Sequence, residues 1–155
     1  MMNERYRHTQ IAWTLIVLVV AVVLAELTIV TFSAPQGTLA LALSGAVVAV
    51  AAVMLALFST LTVVVDYRAV RLWFGFGSLR REVMLADVSA ARRVRNSWHA
   101  GWGVRAIPGG RLYNVGGFDA VELEMDNGRV VRVGTDQPDA LLAAVKAALE
   151  GEEGP

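Results

Sequence analysis

Ile11–Phe32, IAWTLIVLVVAVVLAELTIVTF, and Leu39–Val65, LALALSGAVVAVAAVMLALFSTLTVVV, are the stretches that decide how this chain folds. The first holds one ionisable side chain, Glu26, and the second holds none. Between them lies Ser33-Ala34-Pro35-Gln36-Gly37-Thr38, a turn-forming cluster with Pro and Gly in it. An α-helix needs ~20 apolar residues to cross the ~30 Å hydrocarbon core of a bilayer, and each run exceeds that. Apolar runs of this length in lipid must be helical, because a helix satisfies its own backbone polar groups. The sequence therefore predicts a two-helix transmembrane hairpin, with helices over about 11–32 and 39–60. The first run is longer than the 7–15 apolar residues of a secretory signal, and Phe32 and Pro35 spoil the one small-residue cleavage site, so this helix is expected to be retained.

Outward from the hairpin, residues 1–10 read as a polar tail, 61–150 as a folded domain and 151–155 as an acidic tail. Arg5 and Arg7 precede the first helix, while Arg68, Arg71, Arg80 and Arg81 follow the second and the intervening turn is uncharged. The positive-inside rule then places both termini in the cytoplasm. Abundant Ala, Val, Arg and Gly beside a single lysine, Lys146, suggest a bacterial source. The expected address is the bacterial plasma (inner) membrane, as a multi-pass protein.

Hydrophobic residues make up 55% of the chain, above the ~45–50% of soluble domains, and the excess sits in the hairpin. The absence of Cys excludes disulfides and thiolate metal sites. His8 and His99 are far apart in sequence, so neither a metal centre nor a cofactor is expected. Net charge is zero, but its distribution is polarised. From Asp66 to Arg111 there are nine arginines against three carboxylates; from Leu112 onward there are three cations against nine carboxylates. This reads either as ordinary solvation or as a basic face turned toward an anionic lipid or protein partner.

Within the hairpin, an antiparallel fold about residues 35–36 places Glu26 opposite Ser44 and Gly45, where Ser44 can donate a hydrogen bond. An intramembrane carboxylate is costly and invites a functional reading, with simple tolerance near the outer interface as the alternative. Gly45, Ala49, Ala52 and Ala56 form a small-residue stripe that suits close helix packing, either against the first helix or between two copies of the chain.

Beyond Leu61 the pattern alternates. Strands are expected over 61–65, 69–74, 81–85, 90–95, 104–107 and 112–115, with turns at Asp66-Tyr67-Arg68 and Gly75-Phe76-Gly77-Ser78. Val121, Leu123 and Met125 alternate with Glu122 and Glu124, and Val131 and Val133 flank Arg132. A three-residue loop, Asp126 to Gly128, pairs Leu123 with Val131, Val121 with Val133 and Glu122 with Arg132, with Gly128 left-handed. Asp136 is the expected N-cap of a closing helix whose apolar stripe is Leu141, Leu142, Val145, Ala148 and Leu149. Many short antiparallel strands before one helix indicate an α+β chain with a sandwich or partly open barrel.

The segments Trp98-His99-Ala100-Gly101-Trp102-Gly103-Val104-Arg105, Leu112-Tyr113-Asn114-Val115 and Gly128-Arg129-Val130-Val131-Arg132-Val133-Gly134-Thr135-Asp136-Gln137-Pro138 together resemble bacterial membrane-anchored pleckstrin-homology-like (PH-like) domains. The resemblance covers about residues 61–149. It implies a seven-stranded, partly open barrel capped by the last helix, and a binding or assembly module. Phosphoinositide-binding members cluster cations at the first hairpin loop; this chain has only Arg68 and Arg71 there, a departure from that pattern.

No catalytic constellation emerges. Asp87, Ser97 and His99 supply triad residue types but no nucleophile elbow. Gly75-Phe76-Gly77 lacks the rest of a dinucleotide loop, and Asp119, Glu122, Glu124 and Asp126 are not spaced as a calcium loop, with Glu122 and Glu124 expected on a solvent face. The stronger feature is a basic and aromatic patch: Arg71, Trp73, Arg80, Arg81, Arg92, Arg93, Arg95, Trp98, Trp102 and Arg105. Its alternatives are core Trp with solvated Arg, or a surface facing the membrane or a partner. Membrane confinement and the acidic half argue against nucleic acid. The expectation is a non-enzymatic module holding a protein or anionic lipid headgroup at the inner leaflet. The alternative is an accessory subunit of a membrane complex such as a transporter, recognised through its helices.

Overall fold

The computed structural model describes residues 4–32, 37–77 and 79–151. Strand β1 (Tyr6–Ile11) leads directly into helix α1 (Trp13–Phe32), and helix α2 (Thr38–Phe58) leads directly into β2 (Thr60–Val65). Strands β3 (Ala69–Phe74), β4 (Leu79–Met84), β5 (Val88–Arg95), β6 (Gly103–Ile107), β7 (Gly110–Asn114), β8 (Asp119–Met125) and β9 (Val130–Gly134) follow, and helix α3 (Pro138–Leu149) closes the chain. The expected turn at Ser33–Gln36 lies outside the described residues.

The chain is α+β, with two apolar helices, two sheets and a C-terminal helix. One sheet has the order β1-β2-β3-β4 and the other β5-β8-β9-β7-β6; neither closes on itself. Leu61, Val63, Val65, Leu72 and Phe74 from the first sheet share one core with Val121, Leu123, Val131 and Val133 from the second and with Leu141 and Val145 of α3. The described residues form nine strands in two open sheets, not the implied seven-stranded barrel. An extra strand precedes the helices, and β7 runs parallel to β9. That parallel pair depends on Gly110, where a Cβ would lie 1.7 Å from the Val130 carbonyl oxygen.

The N-terminal segment is not a tail. Tyr6 to Ile11 pair antiparallel with Val65 to Thr60, so the helical hairpin is an insertion between two adjacent strands. Its polar residues disguised it, yet they join it to the rest of the fold. Arg5 Nη1 donates to the Ala147 carbonyl at the end of α3 (3.1 Å), His8 Nε2 lies 2.6 Å from Asp136 Oδ1, and Gln10 Nε2 donates to the Gly116 carbonyl (3.1 Å). Asp136 is thus engaged with His8 and does not cap α3. Gln137 occupies the N-cap without a side-chain bond, and its N–H is taken by Thr135 Oγ1 (3.0 Å).

The helices have 20 and 21 residues, about 30 Å each at 1.5 Å per residue, and by length and composition both can cross a membrane. Ser44 Oγ donates to Glu26 Oε1 (2.9 Å) and to the Ala40 carbonyl (3.0 Å). Away from the ends that meet the sheet, the half-buried positions are Val19, Val23, Glu26 and Val30 on α1 and Ala40, Ser44, Val47 and Ala51 on α2, a spacing of three and four that puts each set on one face. Most of the small-residue stripe lies elsewhere: Gly45, Ala49 and Ala52 are exposed, while Ala56 is half-buried at the end of α2, and nothing stands within 4 Å of a Cβ placed on Gly45. With Ser44 turned toward Glu26, Gly45 is rotated out of the helix–helix seam.

The β8–β9 hairpin has the register read from its alternation: Val121↔Val133, Glu122↔Arg132 and Leu123↔Val131. Met125 N–H donates to the Arg129 carbonyl (2.8 Å), which closes a loop of Asp126, Asn127 and Gly128, with Gly128 at φ +75°.

Candidate functional site

The ten residues of the basic and aromatic patch do not form one surface. Strand pairing first neutralises a large part of the charge polarity. Because β5 lies beside β8, Arg92 stands opposite Glu122 and Arg95 opposite Asp119, so the basic and acidic halves of the sequence interleave. Glu122, expected in solvent, is only 2% exposed. Arg92 Nε and Arg132 Nε each donate to it at 2.9 Å, and their terminal guanidinium nitrogens bridge it as well. Burial pushes the Glu122 carboxyl up, but the two arginines outweigh burial and hold it below its ordinary range. Glu124, on the same face, remains exposed.

Arg93 Nη1 reaches Asp139 on α3 (3.0 Å) and its Nη2 reaches Asp119 (3.2 Å), tying helix to sheet. Arg71 bridges Asp66 (2.7 Å) and Glu82 (2.8 Å). Asp66 is buried and accepts the N–H groups of Arg68 and Ala69, both at 2.8 Å, which builds the tight β2–β3 turn. Trp73 is half-buried beneath the Arg7 guanidinium (5.8 Å), and Arg95 lies over the Phe118 ring (5.8 Å). These arginines and Trp73 hold the fold together rather than present a common face.

The rest separates by position. Arg81 lies on the inner side of β4, since it stands opposite Leu72, a core residue. Trp98 and Trp102 belong to a loop near the roots of the helices, and Arg80 and Arg105 stand on β4 and β6 beside the loops there. The root itself is tightly built: Ala12 N–H donates to the Ser59 carbonyl (2.8 Å), Gly75 N–H donates to the Thr60 carbonyl (3.0 Å), and Phe58 packs edge-on against Phe74 (centroids 5.8 Å). A Cβ on Gly75 would lie 2.1 Å from the Ala56 carbonyl oxygen, so the β3–β4 turn sits hard against the end of α2. That turn thrusts out Phe76, 90% exposed, and Arg80 Nε braces it through the Gly77 carbonyl (2.9 Å).

A second loop comes to the same root. A Cβ on Gly103 would stand 3.9 Å from the Phe58 ring, and the loop leading into it carries Trp98 and Trp102. Trp98 is 74% exposed, with the His99 ring stacked on it at 3.7 Å between centroids. Arg105 Nε braces this loop through the Trp102 carbonyl (3.2 Å). Buried Asn114 ties it down by donating to the Gly101 carbonyl (3.3 Å). Trp13, the first residue of α1, is also exposed. The site is therefore a rim of Trp13, Phe76, Trp98 and Trp102, with Arg80 and Arg105 as braces. Sequence reasoning omitted Trp13, whose signal was its position at the start of an apolar run.

No family model matches the chain, and no curated protein matches it. Among the described residues no group of three or more metal-ligating side chains comes together.

Proposed function

We propose that this protein is a membrane-anchored, non-enzymatic binding module of bacterial plasma membrane, with a PH-like head held at the cytoplasmic leaflet for a protein partner or anionic lipid headgroups. One observation carries the reading. Two helices of membrane-spanning length emerge unburied from between adjacent strands, and exposed aromatic side chains cluster at that point of emergence. A pair of predominantly apolar helices projecting into water would expose far more apolar surface than a soluble monomer tolerates. Trp and Tyr favour the membrane–water boundary, and Phe76 on a glycine-flanked turn is placed to enter it. The absence of a linker keeps the head within about a Debye length of the leaflet, ~8–10 Å, where anionic lipid attracts Arg.

The test is tryptophan quenching of the full chain in nanodiscs. With Trp13 and Trp73 both changed to Phe, Trp98 and Trp102 are expected to be quenched by lipids brominated near the headgroup and spared by lipids brominated at the chain end. Emission indifferent to brominated lipid overturns the reading.

A second reading has its own observation. The Gly45, Ala49 and Ala52 face of α2 is open, which suits a third helix from a larger membrane complex. Capture of a membrane partner by residues 12–59 alone favours this accessory-subunit reading; capture that requires the head favours the module.

A further inference from the structure

Three arginines occupy positions where the strand period calls for core residues. On β4 the inner face reads Leu79, Arg81, Val83, and Val83 is buried. On β7 Arg111 lies two residues before Tyr113, and ahead of β9 Arg129 lies two residues before Val131; both Tyr113 and Val131 belong to the core. Residues two apart in a strand share a face, so all three guanidiniums are directed to the side on which the sheets meet. They line one cleft of about 570 Å³, together with Tyr113, Met125 and Val131. That volume is in the range of small-molecule sites.

Four arginines elsewhere on the sheet faces are matched to carboxylates, Arg71 to Asp66 and Glu82, Arg92 and Arg132 to Glu122, and Arg93 to Asp119 and Asp139, while Arg80 and Arg105 donate to backbone carbonyls and Arg95 lies over the Phe118 ring. Among the described residues Arg81, Arg111 and Arg129 have no such partner, and no carboxylate lines their cleft. Three like charges converging beside an apolar floor repel one another, and a bound anion relieves that repulsion.

We propose that this cleft binds a phosphoryl-bearing anion, with Arg81, Arg111 and Arg129 gripping the phosphoryl oxygens and Tyr113, Met125 and Val131 receiving an apolar body. A guanidinium presents a planar fork that matches phosphate oxygens two at a time. Three positive charges balance a ligand carrying two or three negative ones, whereas a single carboxylate leaves most of the charge uncompensated. The ligand is either a free phosphorylated solute or a lipid phosphate head. The site is separate from the aromatic rim, and its test does not depend on how the rim meets lipid.

The experiment is calorimetric titration of the full-length protein in neutral detergent with sodium pyrophosphate. Saturable one-to-one binding is expected, about tenfold weaker in Arg111→Gln and in Arg129→Gln and unchanged in Arg80→Gln, whose side chain is braced on the other face. In phosphatidic acid nanodiscs, affinity lowered relative to phosphatidylcholine nanodiscs assigns the site to a lipid head; equal affinity in the two assigns it to a free solute. A second measurement uses the unsubstituted protein. Pyrophosphate is expected to protect Arg81, Arg111 and Arg129 from phenylglyoxal and to leave Arg80 and Arg105 reactive, read by mass spectrometry. No saturable heat, an equal loss in Arg80→Gln, or uniform labelling overturns the proposal.

Discussion

Glu122 shows how a single carboxylate organises the second sheet. It sits on the central face of β8 with Arg92 from one neighbouring strand and Arg132 from the other, and Arg132 Nη1 also holds Asn96 Oδ1 (3.1 Å). Removing one member of a buried pair costs more than the pair contributes, because the remaining charge is stranded. Here Arg92 is two-thirds exposed (66%), and its side chain relaxes into water at little cost. Glu122→Gln is therefore expected to destabilise the fold by about 2 kcal/mol at neutral pH, read from thermal melts. The pH dependence follows from the direction of its shift. The folded carboxyl titrates below its unfolded value of about 4.3, so its contribution is complete above that value and is lost as pH falls through the depressed folded value. The wild-type melting temperature should thus fall more steeply on acidification than that of Glu122→Gln. Parallel acid limbs for the two proteins would assign the carboxylate no such role.

At the scale of elements, the β8–β9 hairpin was readable because its alternation, its Asn-Gly pair and its charge match all required the same register. Gly128 carries the turn at φ +75°, and a Cβ there would meet nothing within 4 Å. Gly128→Ala therefore isolates the backbone cost of a left-handed residue, expected at about 1 kcal/mol with the hairpin register kept. A loss of several kcal/mol in denaturant melts, or a changed register, would mean that this loop makes contacts which a bare turn lacks. β3 and α3 were equally legible, from β-branched and aromatic content and from a 3.6-residue apolar stripe. β1 was not, because only Tyr6 and Ile11 are apolar in a strand whose polar side chains bond to Asp136 and to the 115–118 turn, with Arg5 just before it bonded to α3. Nor was the parallel β7–β9 contact, which depends on a glycine meeting a carbonyl across the sheet. The patch was over-read for a related reason: Arg92 and Arg93 look free in sequence, and their carboxylate partners are brought in by β8 and α3 across long separations, while Arg71 meets Asp66 and Glu82 in the adjoining hairpins.

For the molecule as a whole, the decisive arrangement is a membrane-length hairpin grafted into a β-hairpin. Ile11 faces Thr60, Ala12 bonds to Ser59, and the helices begin and end within a residue of those positions. The head is therefore complete only when the segments on both sides of the helices are present. Replacing residues 13–58 by Asn-Gly converts the graft into an ordinary two-residue hairpin, because the ends that it joins are already paired. That chain is expected to be soluble without detergent and to give a β-rich circular dichroism spectrum with a cooperative melt. A chain starting at Leu61 should behave differently. It loses β1 and exposes the edge of β2, TLTVVV in the native sequence, an apolar strand with open backbone donors and acceptors. It also loses the Arg5 bond to α3, the His8 contact with Asp136 and the Gln10 bond to the β7–β8 turn. Aggregation of this shorter chain beside a monomeric grafted-turn chain is the expected pair of results in size-exclusion chromatography. If both are equally soluble and equally stable, β1 is dispensable, and the helices hang from the head by one strand instead of being clamped between two.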